Sequence, residues 1–283
     1  MPPRVLSVST ANAAFQRIDV LLRNRTKRHR YGEFAIEGVK AINAALTAKW
    51  TVRAFAYPRG RTLSRWASSI LEASGAESHF EMDETLFGRL SEKEEPSELL
   101  AVVEMRPDTL DRIHARPGMV VVVVDRPGSP GNLGTLIRSC DAFGASGVIV
   151  TGHGVDAYDP STIRASVGSF FAVPCVAQPS HREVQEWVSG LRRSYAGLRV
   201  VGTSAHASSS IRDFTWPSEV VLVIGNETSG LSHAYREMCD DVVAIPMQGT
   251  ATSLNAAVAT SIALYEVAGC PLPEASRSSG RLS

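Results

Sequence analysis

Met119-Val120-Val121-Val122-Val123-Val124-Asp125-Arg126-Pro127-Gly128-Ser129-Pro130-Gly131-Asn132-Leu133-Gly134 is the stretch that decides the fold. Its first six residues are apolar, five of them β-branched, with no polar alternation. A strand with that pattern has both faces covered, as in the middle of a parallel sheet. The Pro/Gly/Ser-rich turn that follows runs into a helix predicted over Gly131–Phe143. Strand, glycine-containing loop and helix are the opening of a doubly wound α/β domain, whose ligands bind at the carboxyl ends of the strands.

Downstream of this unit the pattern repeats without an internal sequence repeat. Strands are predicted at Gly147–Thr151, Val173–Val176, Leu198–Thr203, Val220–Ile224 and Val242–Ile245. Helices are predicted at Pro160–Val167, Arg182–Tyr195, Ser229–Met238 and Leu254–Val267. Upstream, Ala13–Leu22, Gly38–Ala48 and Leu63–Ala73 read as helices, while Val52–Tyr57 and Leu99–Glu104 read as strands. The expected layout is a tail (1–12), a small α/β domain (13–106), a Pro-containing linker (107–118), a parallel-sheet domain (119–269) and a disordered tail (270–283). Ser91–Pro96 is expected to be an exposed loop.

The whole chain of 283 residues has zero net charge, but the charge is unevenly placed. Residues 1–60 hold 11 Lys/Arg against 3 Asp/Glu, and residues 61–110 hold 5 against 11. A basic face near the N-terminus is therefore expected. Arg23, Arg25, Lys27, Arg28, His29 and Arg30 are packed together there, beside Tyr31. Cations neutralise phosphates and an aromatic ring stacks on an unpaired base, so Arg23, Arg25, Lys27, Arg28, Arg30 and Tyr31 are candidate RNA contacts. A basic run is also what a solvated face looks like. His153, Arg164 and Ser169 are read as satisfied polar contacts in preference to RNA contacts.

Other classes are disfavoured. The apolar run at Met119 is far shorter than the roughly 20 residues a membrane helix needs, and no signal-peptide pattern opens the chain, so a cytoplasmic location is expected. Cys140, Cys175, Cys239 and Cys270 form no CxxC pair, and no metal site is expected. A nicotinamide-dependent enzyme would carry G-x-G-x-x-G after the first strand, which this chain lacks.

Three loops follow strands and share a composition of Gly, Asn and Ser: Asp125–Gly134 continuing to Ile137-Arg138, Gly225-Asn226-Glu227-Thr228-Ser229-Gly230-Leu231, and Ile245-Pro246-Met247 with Ser253-Leu254-Asn255. Each alone reads as a capped turn. In order, however, PGNLGTLIRS, IGNETSGLS and IPM…SLN resemble the three motifs of the SpoU/TrmH branch of the SPOUT RNA 2′-O-ribose methyltransferases, over roughly residues 119–268. Tyr31-Gly32-Glu33-Phe34-Ala35-Ile36-Glu37-Gly38 resembles the start of the L30e-like substrate-binding domain found in many relatives. The resemblance implies a C-terminal trefoil knot, S-adenosylmethionine as cofactor, a homodimer, and structured RNA as partner. Large-subunit ribosomal RNA is the first target implied and transfer RNA the alternative, and resistance to a ribosome-targeting antibiotic is one possible role. A catalytically inactive RNA-binding protein on the same scaffold is the non-enzymatic alternative. The Ala/Arg/Gly-rich, lysine-poor composition suggests a GC-rich genome.

The resemblance also implies roles for particular residues. Arg138 becomes the leading catalytic candidate, either as base toward the ribose hydroxyl or as the group that holds a phosphate and stabilises a developing alkoxide. A guanidinium normally stays protonated, which favours the second role. Asn132 positions the helix start and Arg138 or touches RNA. Glu227 orients Asn132 or Arg138, and Ser253 and Asn255 line the junction of cofactor and ribose. Cofactor contacts are implied at Thr203, Ser204, Ala205, Gly225, Asn226, Ile245, Met247, Ser253 and Leu254. Ala256-Ala257 depart from the bulkier pair associated with the third motif.

Overall fold

A computed structural model describes residues 3–91 and 95–269. The N-terminal half runs β1 (Arg4–Val8), α1 (Ala13–Arg23), α2 (Arg25–Tyr31), β2 (Glu33–Glu37), α3 (Val39–Thr47), β3 (Val52–Pro58), α4 (Arg65–Ala73), β4 (Ser78–Met82), α5 (Glu84–Leu90) and β5 (Leu100–Glu104). Its strands form one mixed sheet in the order β1-β4-β3-β5-β2. Residues 4–8, expected to be tail, are instead an edge strand whose backbone pairs in parallel with Ser78–Met82. The strand is short and mostly exposed, with only Val8 buried, so it offers little apolar signal.

The basic stretch is itself a helix. α2 has no apolar stripe, but Asn24 caps its first turn through Lys27 N, and Gly32 closes it in the left-handed conformation at φ 64°. Capping and tertiary contact, which periodicity does not report, create this element.

The second half runs β6 (Val120–Asp125), α6 (Pro130–Ala142), β7 (Gly147–Thr151), α7 (Pro160–Ser166), α8 (Ser169–Ala172), β8 (Cys175–Gln178), α9 (His181–Leu191), β9 (Arg199–Thr203), β10 (Ser209–Ser210), β11 (Val220–Ile224), α10 (His233–Met238), β12 (Asp241–Ala244) and α11 (Ala256–Ala268). The seven strands lie in the order β10-β12-β9-β11-β6-β7-β8, every neighbouring pair parallel. The valine run sits between β11 and β7, and Val121, Val122 and Val123 are wholly buried. Strand β12 inserts between β9 and β10, although both precede it in the chain. The C-terminal segment thus joins the sheet in its interior, not at its edge.

Boundaries shift where capping chemistry overrides periodicity. The helix expected from Ser229 begins only at His233, because Asn226–Gly230 close a tight turn through paired backbone hydrogen bonds of 3.0 and 2.9 Å. The last helix starts at Ala256, with Asn255 as its cap. The stretch expected as a free linker is tied down: Ala177 N donates to Asp108 Oδ1 at 2.9 Å, and Arg112 donates to the Cys175 carbonyl at 3.1 Å. Residues 92–94 of the expected loop and the expected tail at 270–283, with Cys270, lie outside the described residues.

The two sheets share a core. Phe34 and Trp50 from the first half pack with Tyr158, Phe170 and Phe171 from the second, at ring separations of 4.9 to 6.3 Å. Trp50 Nε1 donates to the Phe171 carbonyl at 3.1 Å, and the Arg106 guanidinium lies 4.3 Å over the Trp50 ring. Aromatic pairs of this kind, with satisfied polar edges, fix the domains against each other.

Candidate active site

Three loops leave the carboxyl ends of β6, β11 and β12 and meet. Asn226 joins the first two: its Nδ2 donates to the Arg126 carbonyl at 2.7 Å, while its Oδ1 accepts from Thr228 N and Ser229 N at 2.9 and 3.0 Å. Glu227 then reaches across. Its Oε2 accepts from Gly128 N at 3.0 Å and its Oε1 from Asn132 Nδ2 at 3.2 Å. Asn132 Oδ1 in turn accepts from Asn255 Nδ2 at 2.9 Å. Asn255 Oδ1 caps α11 through Ala257 N at 2.8 Å. One residue from each loop therefore forms a continuous chain, Glu227–Asn132–Asn255, which fixes the amide orientation of both asparagines.

Beside this chain lies an open cavity of about 390 Å³. All nine residues implied as cofactor contacts line it: Thr203, Ser204, Ala205, Gly225, Asn226, Ile245, Met247, Ser253 and Leu254. Glu227 lines it too, as do Ile224, Thr228, Ser229, Thr252, Ala256 and Ala259. His206 and Arg236 also line it, outside the set of candidate residues. His206 directly follows Thr203-Ser204-Ala205, a signal present in the sequence. Arg236 sits on α10 with its Nε on the Leu231 carbonyl at 3.3 Å, and nothing in its spacing marked it. The small Ala256 and Ala259 side chains leave room where α11 borders the cavity.

The residue set fits S-adenosylmethionine. Volume and lining are those of a small-molecule site: apolar walls with a few placed polar groups. Ile245, Met247 and Leu254 supply an apolar face for a flat base, and Thr203, Ser204, Ser229 and Ser253 supply hydroxyls for a ribose. Among the described residues, no cluster of His, Cys, Asp or Glu stands ready to hold a metal.

Of its two implied partners Glu227 engages Asn132, together with Gly128 N, and makes no bond to Arg138. Ser253 lines the cavity, and Asn255 caps α11. Arg138 does not line the cavity; it is exposed on α6 and has no hydrogen bond or ion pair among the described residues. Six residues along a helix from Asn132, it projects about 120° away from that side chain and about 9 Å further along the axis.

The basic helix also divides. Arg28, an expected RNA contact, is buried: its Nε and Nη2 lie 2.8 and 2.7 Å from Asp156 Oδ2, and its Nη1 donates to the carbonyls of Leu21 and Leu22 at 3.1 and 3.3 Å. A guanidinium with five donors is well suited to such a buried junction, and composition alone does not distinguish it from its exposed neighbours. Arg23 pairs with Asp19 at 2.7 Å and donates to the Arg89 carbonyl at 3.0 Å. Arg25, Arg30 and Tyr31 are exposed and Lys27 is half-buried. Tyr31 carries Arg17 and Lys27 at 5.0 and 6.0 Å from its ring centre.

Residues 119–265 match the SpoU rRNA Methylase family, and residues 12–101 match the SpoU L30e-like domain. The chain belongs to the SpoU rRNA methylase family. It is 46% identical over 93% of its length, and 92% of the relative's, to a 23S rRNA (uridine(2479)-2'-O)-methyltransferase of Streptomyces viridochromogenes. A 23S rRNA (guanosine(2553)-2'-O)-methyltransferase of Bacillus subtilis is 29% identical over 88% of the chain and 93% of the relative. Among solved structures, the SpoU methyltransferase AviRb of S. viridochromogenes in complex with AdoMet superposes with a TM-score of 0.88 at 46% identity, over 91% of this chain and 97% of that one. An AdoMet-bound rRNA methyltransferase of Sinorhizobium meliloti gives 0.81 at 32% identity, over 93% and 97%. As a SpoU methylase, the chain is an S-adenosylmethionine-dependent RNA methyltransferase.

Proposed function

We propose that this SpoU methylase methylates a ribose 2′-hydroxyl of large-subunit ribosomal RNA, with a uridine as first candidate. The observation that carries the reading is the Glu227–Asn132–Asn255 chain of hydrogen bonds, which ties the first motif loop to a cavity lined by the second and third motif loops and by the loop after β9. The identity to the S. viridochromogenes uridine methyltransferase supports the choice of target.

S-adenosylmethionine, when bound, supplies an activated methyl on a sulfonium whose leaving group is a neutral thioether. The residues implied as its contacts, from Thr203 to Leu254, would hold it through loop backbone, hydroxyls and apolar walls. What the protein itself must add is alignment and stabilisation of charge on a weakly acidic hydroxyl. Asn132 and Asn255 are held rigidly for alignment. Glu227 locks the first-motif loop to the second and contributes negative charge at the cavity wall.

Arg138 supplies the cation, and the second copy of a homodimer delivers it to the cavity. Supporting this, α11 exposes two apolar side chains seven residues apart on one face, Val258 and Tyr265, at 48 and 62% exposure. It lies beside α6, to which it is joined by Ser139–Ser261 at 2.7 Å and Phe143 against Tyr265 at 6.2 Å. Exposed apolar side chains next to an unpaired arginine are what a self-associating face presents. Arg25, Lys27, Arg30 and Tyr31 engage RNA by charge and stacking, whereas Arg28 serves the domain junction.

Transfer of labelled methyl from S-adenosylmethionine to ribosomal and transfer RNA, with mapping of alkali-resistant sites, tests the reading. One methylated ribose in 23S RNA is the expected result. A site confined to transfer RNA, or cofactor binding without transfer to any RNA or ribosomal subunit, overturns it. A protective role is tested by antibiotic susceptibility of ribosomes bearing the modification.

A further inference from the structure

The segment after β7, Gly152-His153-Gly154, is pressed flat against the first-motif loop. A Cβ on Gly152, whose φ is +74°, would stand 2.8 Å from Arg126 Cγ, and one on Gly154 would stand 2.8 Å from Pro127 Cδ. The two glycines permit that approach, and the one side chain between them, His153, is exposed with no hydrogen-bond partner among the described residues. An arginine lies at each end of this tripeptide. From the N-terminal domain, Arg25 Nη1 donates to the Gly154 carbonyl at 2.7 Å. From the catalytic domain, Arg126 lays its side chain across Gly152.

Arg126 is also strained. It is one of three non-glycine residues with positive φ among the described residues, at +52°, a conformation uncommon for such a residue and concentrated at functional sites. Its Nε and Nη2 donate to Asp125 at 3.0 and 3.1 Å, which leaves Nη1 without a partner among the described residues, and 40% of the side chain is exposed. The neighbouring carboxylates are turned inward: Asp125 and Asp156 are 3 and 6% exposed and are engaged by Arg126, Ser232 N, Arg28 and His29. The side chains that the seam turns outward are Arg25, His153 and Arg126.

We propose that Arg25, His153 and Arg126 form a phosphate-binding seam that carries the RNA backbone across the domain junction. Its two ends fit this path. Arg25 opens α2, which displays Lys27, Arg30 and Tyr31, and Pro127 directly precedes Gly128, whose amide is held by Glu227. Guanidinium and imidazole N–H donors set along one strip of backbone suit the repeated oxygens of a phosphodiester chain. The inference rests on the RNA-methylating reading and specifies how the substrate reaches that site.

The test measures binding of an in vitro transcript of large-subunit ribosomal RNA against salt for wild type, Arg126→Asn and His153→Arg. Asparagine tolerates positive φ, so the first variant removes charge without new backbone strain. Arg126→Asn should bind RNA about tenfold more weakly, with the slope of log K against log salt shallower by about 0.7 to 0.9. His153→Arg, on an exposed position, should steepen that slope by a similar amount. Affinity for S-adenosylmethionine, the folding control, should match wild type in both. Methyl transfer by wild type to the same transcript is measured alongside. Wild-type slopes in both variants, with wild-type transfer intact, overturn the seam and leave the enzymatic reading standing. Should Arg126→Asn lose cofactor binding, the slope for His153→Arg decides alone. A wild type that neither binds nor methylates the transcript overturns both.

Discussion

The two domains handle polar residues in opposite ways. In the catalytic domain, the side chains that build the site are short amides, hydroxyls and one carboxylate, each held by loop backbone or by another amide. In the N-terminal domain they are long cations on one capped helix, where adjacent residues have unrelated jobs: Lys27 lies half-buried near Tyr31, while Arg28 is almost entirely buried on Asp156. Short side chains after a strand can act only near their own backbone, so their place in the motif fixes their place in the site. Long cations reach several ångströms in any direction, and the fold decides which of them remain available.

The sharpest way to break the comparison is at Arg138, a long cation that the catalytic domain displays on α6. Arg138→Ala should lower kcat by about 100- to 1000-fold, the scale for removing a group that stabilises developing charge. Cofactor affinity, measured by calorimetry, should be retained. Mixing Arg138→Ala with Asn255→Ala should restore part of the activity, because mixed dimers hold one site in which both residues are intact. Mixtures no more active than the separate variants would show that Arg138 serves its own protomer.

Arg28 and Lys27 give the next test, this time of stability. Removing one partner of a buried ion pair costs about 3 to 5 kcal/mol, because the other charge is left desolvated. Arg28→Ala should therefore strand Asp156 and lower the chemical-denaturation free energy by that amount. Lys27→Ala should change it by about 0.5 kcal/mol or less and act on RNA affinity instead. Equal stability losses would mean that α2 does not divide into junction and surface residues.

Inside the catalytic domain, Gly134 and Gly131 separate packing from loop chemistry. A Cβ on Gly134 would stand 2.3 Å from the Thr162 carbonyl, where α6 meets α7, but one on Gly131 would meet nothing closer than Ser129 Oγ at 3.9 Å. Gly134→Ala should cost about 1 to 3 kcal/mol by thermal denaturation, as overpacking does. Gly131→Ala should leave stability near that of wild type. A neutral Gly134→Ala would mean that α6 moves freely on α7, contrary to a rigid mounting for Asn132 and Arg138.

Legibility followed the same divide. The valine run, the later parallel strands other than the two-residue β10, and the motif loops were readable because interior strands leave an apolar signature and glycine-rich turns mark strand ends. Edge strand β1 and helix α2 were not. The first is exposed and paired through backbone, and the second is set by caps at Asn24 and Gly32. The nine residues gathered around the cavity were found by motif resemblance, whereas Arg236 comes from outside the motifs and enters only through folding. Burial of Arg28 depends on Asp156, 128 residues away, a pairing that no local pattern encodes.

The smallest expected effect distinguishes the domains by pH. His79 on β4 is 4% exposed, lies against the Phe55 ring at 5.9 Å and shares a hydrogen bond with Ser74 Oγ at 3.1 Å. Burial holds its imidazole below the ordinary value, since the charged form loses hydration. The unfolded chain therefore takes up this proton first as pH falls through about 6.5. Folding stability is full above that value and declines below it, until the folded state also protonates. His79→Gln removes the titrating group, so the decline between about pH 7 and 5 should flatten in the variant. The comparison is between two slopes, so a uniform loss of stability from the substitution does not obscure it. If the slopes coincide, protonation of the buried imidazole does not weaken the N-terminal sheet in acid.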